Sequence, residues 1–116
     1  MELYLLGRII FGAYFIYSGF NHFKNEKSMT GYAKSKGVPS PRFAVILTGA
    51  LLVLGGLGFI TGTYMQLSAV ALLVFLVPTT FMMHAFWKVS DPMHRMGEQI
   101  NFTKNLALVG ALLMML

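Results

Sequence analysis

The sequence has 116 residues, which is enough for one domain of ordinary size. Hydrophobic residues make up 56% of it and charged residues only 11%, against about a quarter in soluble domains. So few charges cannot cover the surface of a soluble fold, and the mean hydropathy of +0.66 indicates that lipid is the solvent. There is no cysteine, which excludes disulfides, thiolate metal sites and iron–sulfur clusters held by this sequence.

The first predicted transmembrane helix covers residues 3–23 and carries a charge only at Arg8. That length is enough to cross about 30 Å of hydrocarbon. Residues 24–42 form a basic connection that Pro39 interrupts, with room for a short interfacial helix over residues 28–35.

The second predicted span covers residues 43–60 and is followed by a tight turn. The third covers residues 64–86, and a second basic connection, 87–99, leads to the fourth span at 100–116. This last stretch is slightly short for a span. We therefore expect either a short final helix or a natural chain that continues further.

These elements predict an all-α membrane protein, a single transmembrane domain built as a four-transmembrane-helix up-and-down bundle. The net charge of +5 comes mainly from the two connections, which fall on the same side of such a bundle. The positive-inside rule then predicts cytoplasmic connections and external termini. Membrane topology explains the basic residues, so nucleic acid is not a predicted partner.

Arg8 is a charge inside a predicted span. At the centre of a bilayer it would cost about 2.5–3.5 kcal/mol, and less nearer the end. Its expected partners are lipid phosphates or carbonyls near Thr61, and the functional alternative is a donor to a bound ligand. Arg8 shares a helix face with His22 through steps of three and four residues.

His22 and His84 end the first and third predicted spans, so the bundle places them at the same level. They could bind a quinone head group or ligate haem, and haem is the weaker alternative. The structural alternative is an interfacial belt shared with Asn21 and Trp87.

Asn101 and Asn105 lie one turn apart at the start of the predicted fourth span, where amides can hydrogen-bond across helices. Lys104 is expected to extend towards the cytoplasmic face. No catalytic triad, paired carboxylate or phosphate loop is recognisable, so the chain is not expected to be an enzyme by itself.

In several stretches that follow one another along nearly the whole chain, the sequence resembles the DoxX family. These stretches are Gly7-Arg8 through Ser18-Gly19-Phe20-Asn21-His22-Phe23, Tyr32-Ala33 through Gly37-Val38-Pro39, Gly49 through Gly55-Gly56, His84-Ala85-Phe86-Trp87, and Asn101-Phe102-Thr103-Lys104-Asn105-Leu106.

The resemblance implies a four-helix protein of the bacterial inner membrane, linked to quinone-dependent respiratory or oxidative-stress oxidoreductases. We predict an accessory subunit of such a complex, with quinone as the candidate ligand, although the cofactor is not fixed by the sequence. The expected partners are membrane lipids, a membrane or cytoplasmic protein, and further copies of the chain. The candidate ligand-binding residues are Arg8, Asn21, His22, His84, Trp87 and Asn105, with no catalytic or metal residue.

The alternative, from another class, is a non-catalytic scaffold or assembly protein that docks a partner or anionic lipid through its basic connections. The family fold is also similar to vitamin K epoxide reductase-type bundles. Their chemistry depends on cysteine pairs, which this sequence lacks.

Overall fold

The computed structural model describes residues 2–116, and these residues form helices with no strand. The helices, in chain order, are α1 (Glu2–Lys24), α2 (Glu26–Ser35), α3 (Pro41–Thr61), α4 (Met65–Met83) and α5 (Pro92–Met114). A 3-10 turn, Phe86–Lys88, lies between α4 and α5.

Three segments of the described chain are long and apolar enough to cross a membrane. They are Glu2–Lys24, Pro41–Thr61 and Met65–Lys88. α5 is not among them, because charged and polar residues occupy much of its first half. An all-α membrane fold is therefore confirmed. The predicted four-helix count is not, because the described chain has five α-helices.

Both predicted connections contain helix. The connection at 24–42 includes α2, an amphipathic helix that buries Ala33 against the bundle. The connection at 87–99 is shorter than predicted, because α5 already begins at Pro92. Proline suits a first helical position, and the Asp91 carboxylate accepts the backbone N–H of His94 at 3.0 Å, which caps the helix.

The long helices run up and down, so the connections gather at two ends. At one end, Tyr4 donates to the Met65 sulfur at 3.7 Å and Gln66 donates to the Leu116 carbonyl at 3.0 Å. At the other end, α2 contacts α5 through Tyr32. We call this the basic end; it holds residues 24–42 and 84–95.

Glycine pairs bring the backbones of α1 and α3 into direct contact. A Cβ added to Gly12 would lie 2.6 Å from the Gly56 carbonyl oxygen, and one added to Gly19 would lie 2.7 Å from that of Gly49. Small residues at such crossings allow helices to associate closely in lipid. Gly49 also faces the Cβ of His22, so the same crossing fixes a predicted site residue against α3.

Candidate functional site

A cavity of about 390 Å³ lies inside the bundle, towards the basic end, and side chains of all five α-helices line it. Most of its wall is apolar, including Phe15, Leu52 and Phe75. Volume and lining both fall in the range of small-molecule sites, which are mainly apolar with a few polar groups. The polar groups include His22, Thr48, His84, Lys104 and Asn105.

His22 is buried at the end of α1 and is oriented by α3. Its Nδ1 lies 3.0 Å from the Val45 carbonyl oxygen and 3.1 Å from the Thr48 hydroxyl oxygen. A carbonyl oxygen only accepts, so Nδ1 carries the proton and donates. Thr48 in turn donates to the Ala44 carbonyl at 2.6 Å. In an uncharged His22 ring, Nε2 is therefore left as an acceptor for a ligand.

A buried carboxylate, Glu98, joins three parts of the chain at the basic end. Its Oε2 accepts from the Tyr32 hydroxyl at 2.6 Å and lies 3.3 Å from Lys36 Nζ. Its Oε1 accepts from His84 Nδ1 at 3.2 Å and from the Asn101 amide at 3.4 Å. Both oxygens are thus engaged. Glu98, itself in α5, therefore links this helix to α2 and to the connection that follows α4.

Glu98 precedes the apolar part of α5 and lies outside the three qualifying spans. Burial alone would raise the pKa of its carboxyl, but hydrogen bonds from Tyr32, His84 and Asn101 and the contact with Lys36 lower the pKa to about 2. Burial and the bond to Glu98 raise the pKa of the Tyr32 hydroxyl above its ordinary value. Near neutral pH Glu98 is therefore a fixed negative charge rather than a group that exchanges protons.

The Glu98 cluster holds α2 across the basic end of the cavity. Four α2 residues, Ser28, Met29, Tyr32 and Ala33, belong to the cavity wall. Two contacts with Glu98, from Tyr32 of α2 and from Lys36 just after it, therefore add to the packing of α2 against α3.

The side of the cavity between α1 and α5 has no close packing of the described helix backbones across it. α1 packs along α3, α3 against α4 and α4 against α5, whereas the described backbones of α1 and α5 do not pack closely. Tyr14 and Ser18 of α1 line the cavity opposite Lys104 and Asn105 of α5. We call this side of the cavity the gap between α1 and α5.

The six predicted site residues separate into two groups. His22, His84 and Asn105 line the cavity. Asn21 is half-buried but is not part of the cavity wall. Trp87 also lies outside the wall, in an aromatic group with Phe81, Phe86 and Phe102.

Arg8 lies at the opposite end of the bundle, because it sits near the start of α1 and His22 near its end. Its guanidinium rests against Gly62, where α3 ends; Nη1 lies 2.7 Å from the position of a Cβ on Gly62. Its Nε is buried without a hydrogen-bond partner in the described chain. The structure therefore does not bring Arg8 into the cavity.

Sequence reasoning missed Glu98 and its partners Tyr32 and Lys36. Glu98 was assigned to a loop, although Glu98, Asn101 and Asn105 are spaced by three and four residues and so share one helix face. Tyr32 and Lys36 are also four residues apart. These spacings were the signals in the sequence that could have indicated the Glu98 cluster.

Comparisons with known proteins found a family model and a relative that match this chain. The DoxX family model matches residues 3–85. The inner membrane protein YphA of Escherichia coli (strain K12) is 27% identical over 114 residues, covering 97% of this chain and 80% of that protein. No solved structure matches the chain.

Proposed function

The chain belongs to the DoxX family of membrane proteins, and we propose that it is an accessory subunit that binds a quinone for a partner oxidoreductase. The observation that carries this proposal is the cavity of about 390 Å³, with His22, His84 and Asn105 on its wall. A quinone needs hydrogen-bonding groups for its ring oxygens and an apolar surface for its ring and tail, and the cavity offers both.

The gap between α1 and α5 supports a ligand that comes from the membrane. The gap between α1 and α5 would let the isoprenoid tail remain in lipid while the head group lies among the polar side chains. The sequence has no cysteine for thiol redox chemistry, so in this proposal the partner handles the electrons. The exposed lysines of the basic end, such as Lys27 and Lys34, are available to dock it.

We expect the purified protein to retain quinone, and the double variant His22→Ala, His84→Ala to retain at least about tenfold less. Each histidine would contribute one hydrogen bond, and two bonds of about 1 kcal/mol each exceed a tenfold change in affinity. The measurement is mass spectrometry of quinone extracted from protein purified in mild detergent.

The matched control is His94→Ala, because His94 is exposed in the first turn of α5 and lies outside the cavity wall. It should retain as much quinone as the parent chain. A parent protein that neither carries nor binds quinone would refute the proposal, as would equal retention in all three chains.

We also propose that the apolar part of α5 is a fourth span, and that the basic end faces the cytoplasm across the inner membrane. The similar protein YphA is named as an inner membrane protein, and the positive-inside rule gives the orientation.

In this cysteine-free chain, a single cysteine at exposed Ser35 or Thr63 shows on which side of the membrane each end of the bundle lies. An impermeant thiol reagent on intact spheroplasts should label Thr63→Cys and spare Ser35→Cys; the reverse pattern would invert the topology.

A further inference from the structure

Lys104 is an exposed residue about halfway between the two ends of the bundle. It lies about halfway along α5, and its Nζ is 5.7 Å from the centre of the Tyr14 ring, about halfway along α1. Lys104 also belongs to the cavity wall, beside the gap between α1 and α5.

No carboxylate of the described chain pairs with this amine. The sequence has only four acidic residues. Glu98 is fully engaged by its own cluster, and Glu26 pairs with Arg42 at 2.8 Å. Asp91 caps α5, and Glu2 lies in the first turn of α1.

The contact with Tyr14 does not replace a counter-charge. The free energy that a cation gains over an aromatic ring is smaller than the free-energy cost of a charge at mid-depth in a bilayer. Charged groups in membrane spans accordingly face cavities and pair with an opposite charge. Lys104 faces a cavity, and within the described chain the opposite charge is missing.

We infer that the cavity takes an amphiphile whose head group carries an acidic oxygen, and that Lys104 is its counter-charge. This inference rests on the proposed binding function and narrows its ligand class. An ionised hydroxyl on a quinone ring and the carboxylate of a fatty acid share this chemistry. Asn105, next to Lys104 in the cavity wall, can donate its amide N–H groups to a second oxygen of the same head group.

The test compares acidic probes with neutral analogues of the same shape. One pair is a prenylated 2-hydroxy-1,4-naphthoquinone and its methyl ether, and the other is oleic acid and oleyl alcohol. Affinities are measured on the whole chain in nanodiscs of neutral lipid, at a pH where the acids are ionised. The variants are Lys104→Gln and Lys104→Arg, with Lys88→Gln as the control, because Lys88 is exposed as Lys104 is but lies outside the cavity wall.

We expect the parent chain to prefer at least one acid over its neutral analogue by at least about tenfold. Lys104→Gln should abolish that preference and leave the binding of the neutral analogue unchanged, which also shows that the cavity is intact. Lys104→Arg and Lys88→Gln should keep the preference.

The possible results separate the inference from the proposed function. If both naphthoquinones bind with equal affinity, a quinone site stands and the acidic head group is refuted. If oleic acid alone binds, and does so through Lys104, the head-group class stands and the quinone is refuted. Equal loss of acid and neutral probe in Lys104→Gln refutes the inference, since Lys104 would then only support the cavity. If no probe binds, both are refuted.

Discussion

Replacing Glu98 by alanine should destabilise the folded chain by about 3–5 kcal/mol, the usual cost of removing one member of a buried, hydrogen-bonded ion pair. The Glu98 side chain is only 5% exposed, and it is the shared partner of Lys36, Tyr32, His84 and Asn101. Without the Glu98 carboxylate, its four partners lose their hydrogen-bond acceptor, while most of them remain largely buried. The free energy of unfolding in mixed detergent micelles, or the thermal midpoint, measures the effect.

The matched control is Glu26→Ala. Glu26 also joins α2 to a basic residue, but its partner Arg42 is 75% exposed, and an exposed pair is worth about 1 kcal/mol or less. If Glu98→Ala destabilised the chain no more than Glu26→Ala, the Glu98 cluster would not hold α2 in place.

The same cluster predicts how stability changes with pH. The pKa of Glu98 is lowered in the folded chain from 4.5 to about 2. Its stabilising contribution is therefore complete above about pH 4.5 and is lost as the pH falls towards 2. The Glu98→Gln variant should lack this part of the acid dependence.

A second experiment tests whether Glu98 limits access of water-soluble reagents to the cavity. In this cysteine-free chain, Thr79→Cys places a single thiol on the cavity wall. Adding Glu98→Gln should increase its rate of reaction with a water-soluble thiol reagent, whereas adding Glu26→Gln should not. Equal rates would show that α2 does not limit access from the water side.

Hydropathy predicted the apolar helices well, because an uninterrupted apolar stretch between polar residues has few alternative structures in lipid. α3 shows this, with a predicted range of 43–60 and an observed range of Pro41–Thr61. The start of α5 was not predicted from hydropathy, because its first turns are polar. The local signal was the pair Asp91-Pro92, which suits a helix cap and a first helical position.

The site shows a different limit of the sequence. The spacing of Arg8 and His22 correctly puts them on one face of a helix, but periodicity gives the direction of a side chain and not its depth in the membrane. His22 reaches the cavity and Arg8 lies at the opposite end. Glu98 and Tyr32 are 66 residues apart. Their contact depends on how α2, which packs mainly against α3, is placed relative to α5, and no local pattern encodes that placement.

Substitution of Gly56 should have the second large effect, because it forces α1 and α3 apart. A Cβ at this position would lie 2.5 Å from the Gly12 carbonyl oxygen and 2.7 Å from Ile16 Cγ1. The first of these atoms belongs to the backbone and cannot move aside. Gly56→Ala should therefore destabilise the chain by about 1–3 kcal/mol, as overpacking usually does, and Gly56→Leu by more. Unfolding in mixed micelles measures both.

Gly110→Ala is the control, since Gly110 lies in α5 and a Cβ there would meet no atom within 4 Å. Alanine is the better helix former by about 0.5–1 kcal/mol, so this variant should be neutral or slightly more stable. Gly56→Ala should also reduce ligand retention, because the α1–α3 contact holds His22 against Val45 and Gly49. If Gly56→Ala and Gly110→Ala proved equally stable, the close crossing of α1 and α3 would be wrong, and with it the position of His22 in the cavity.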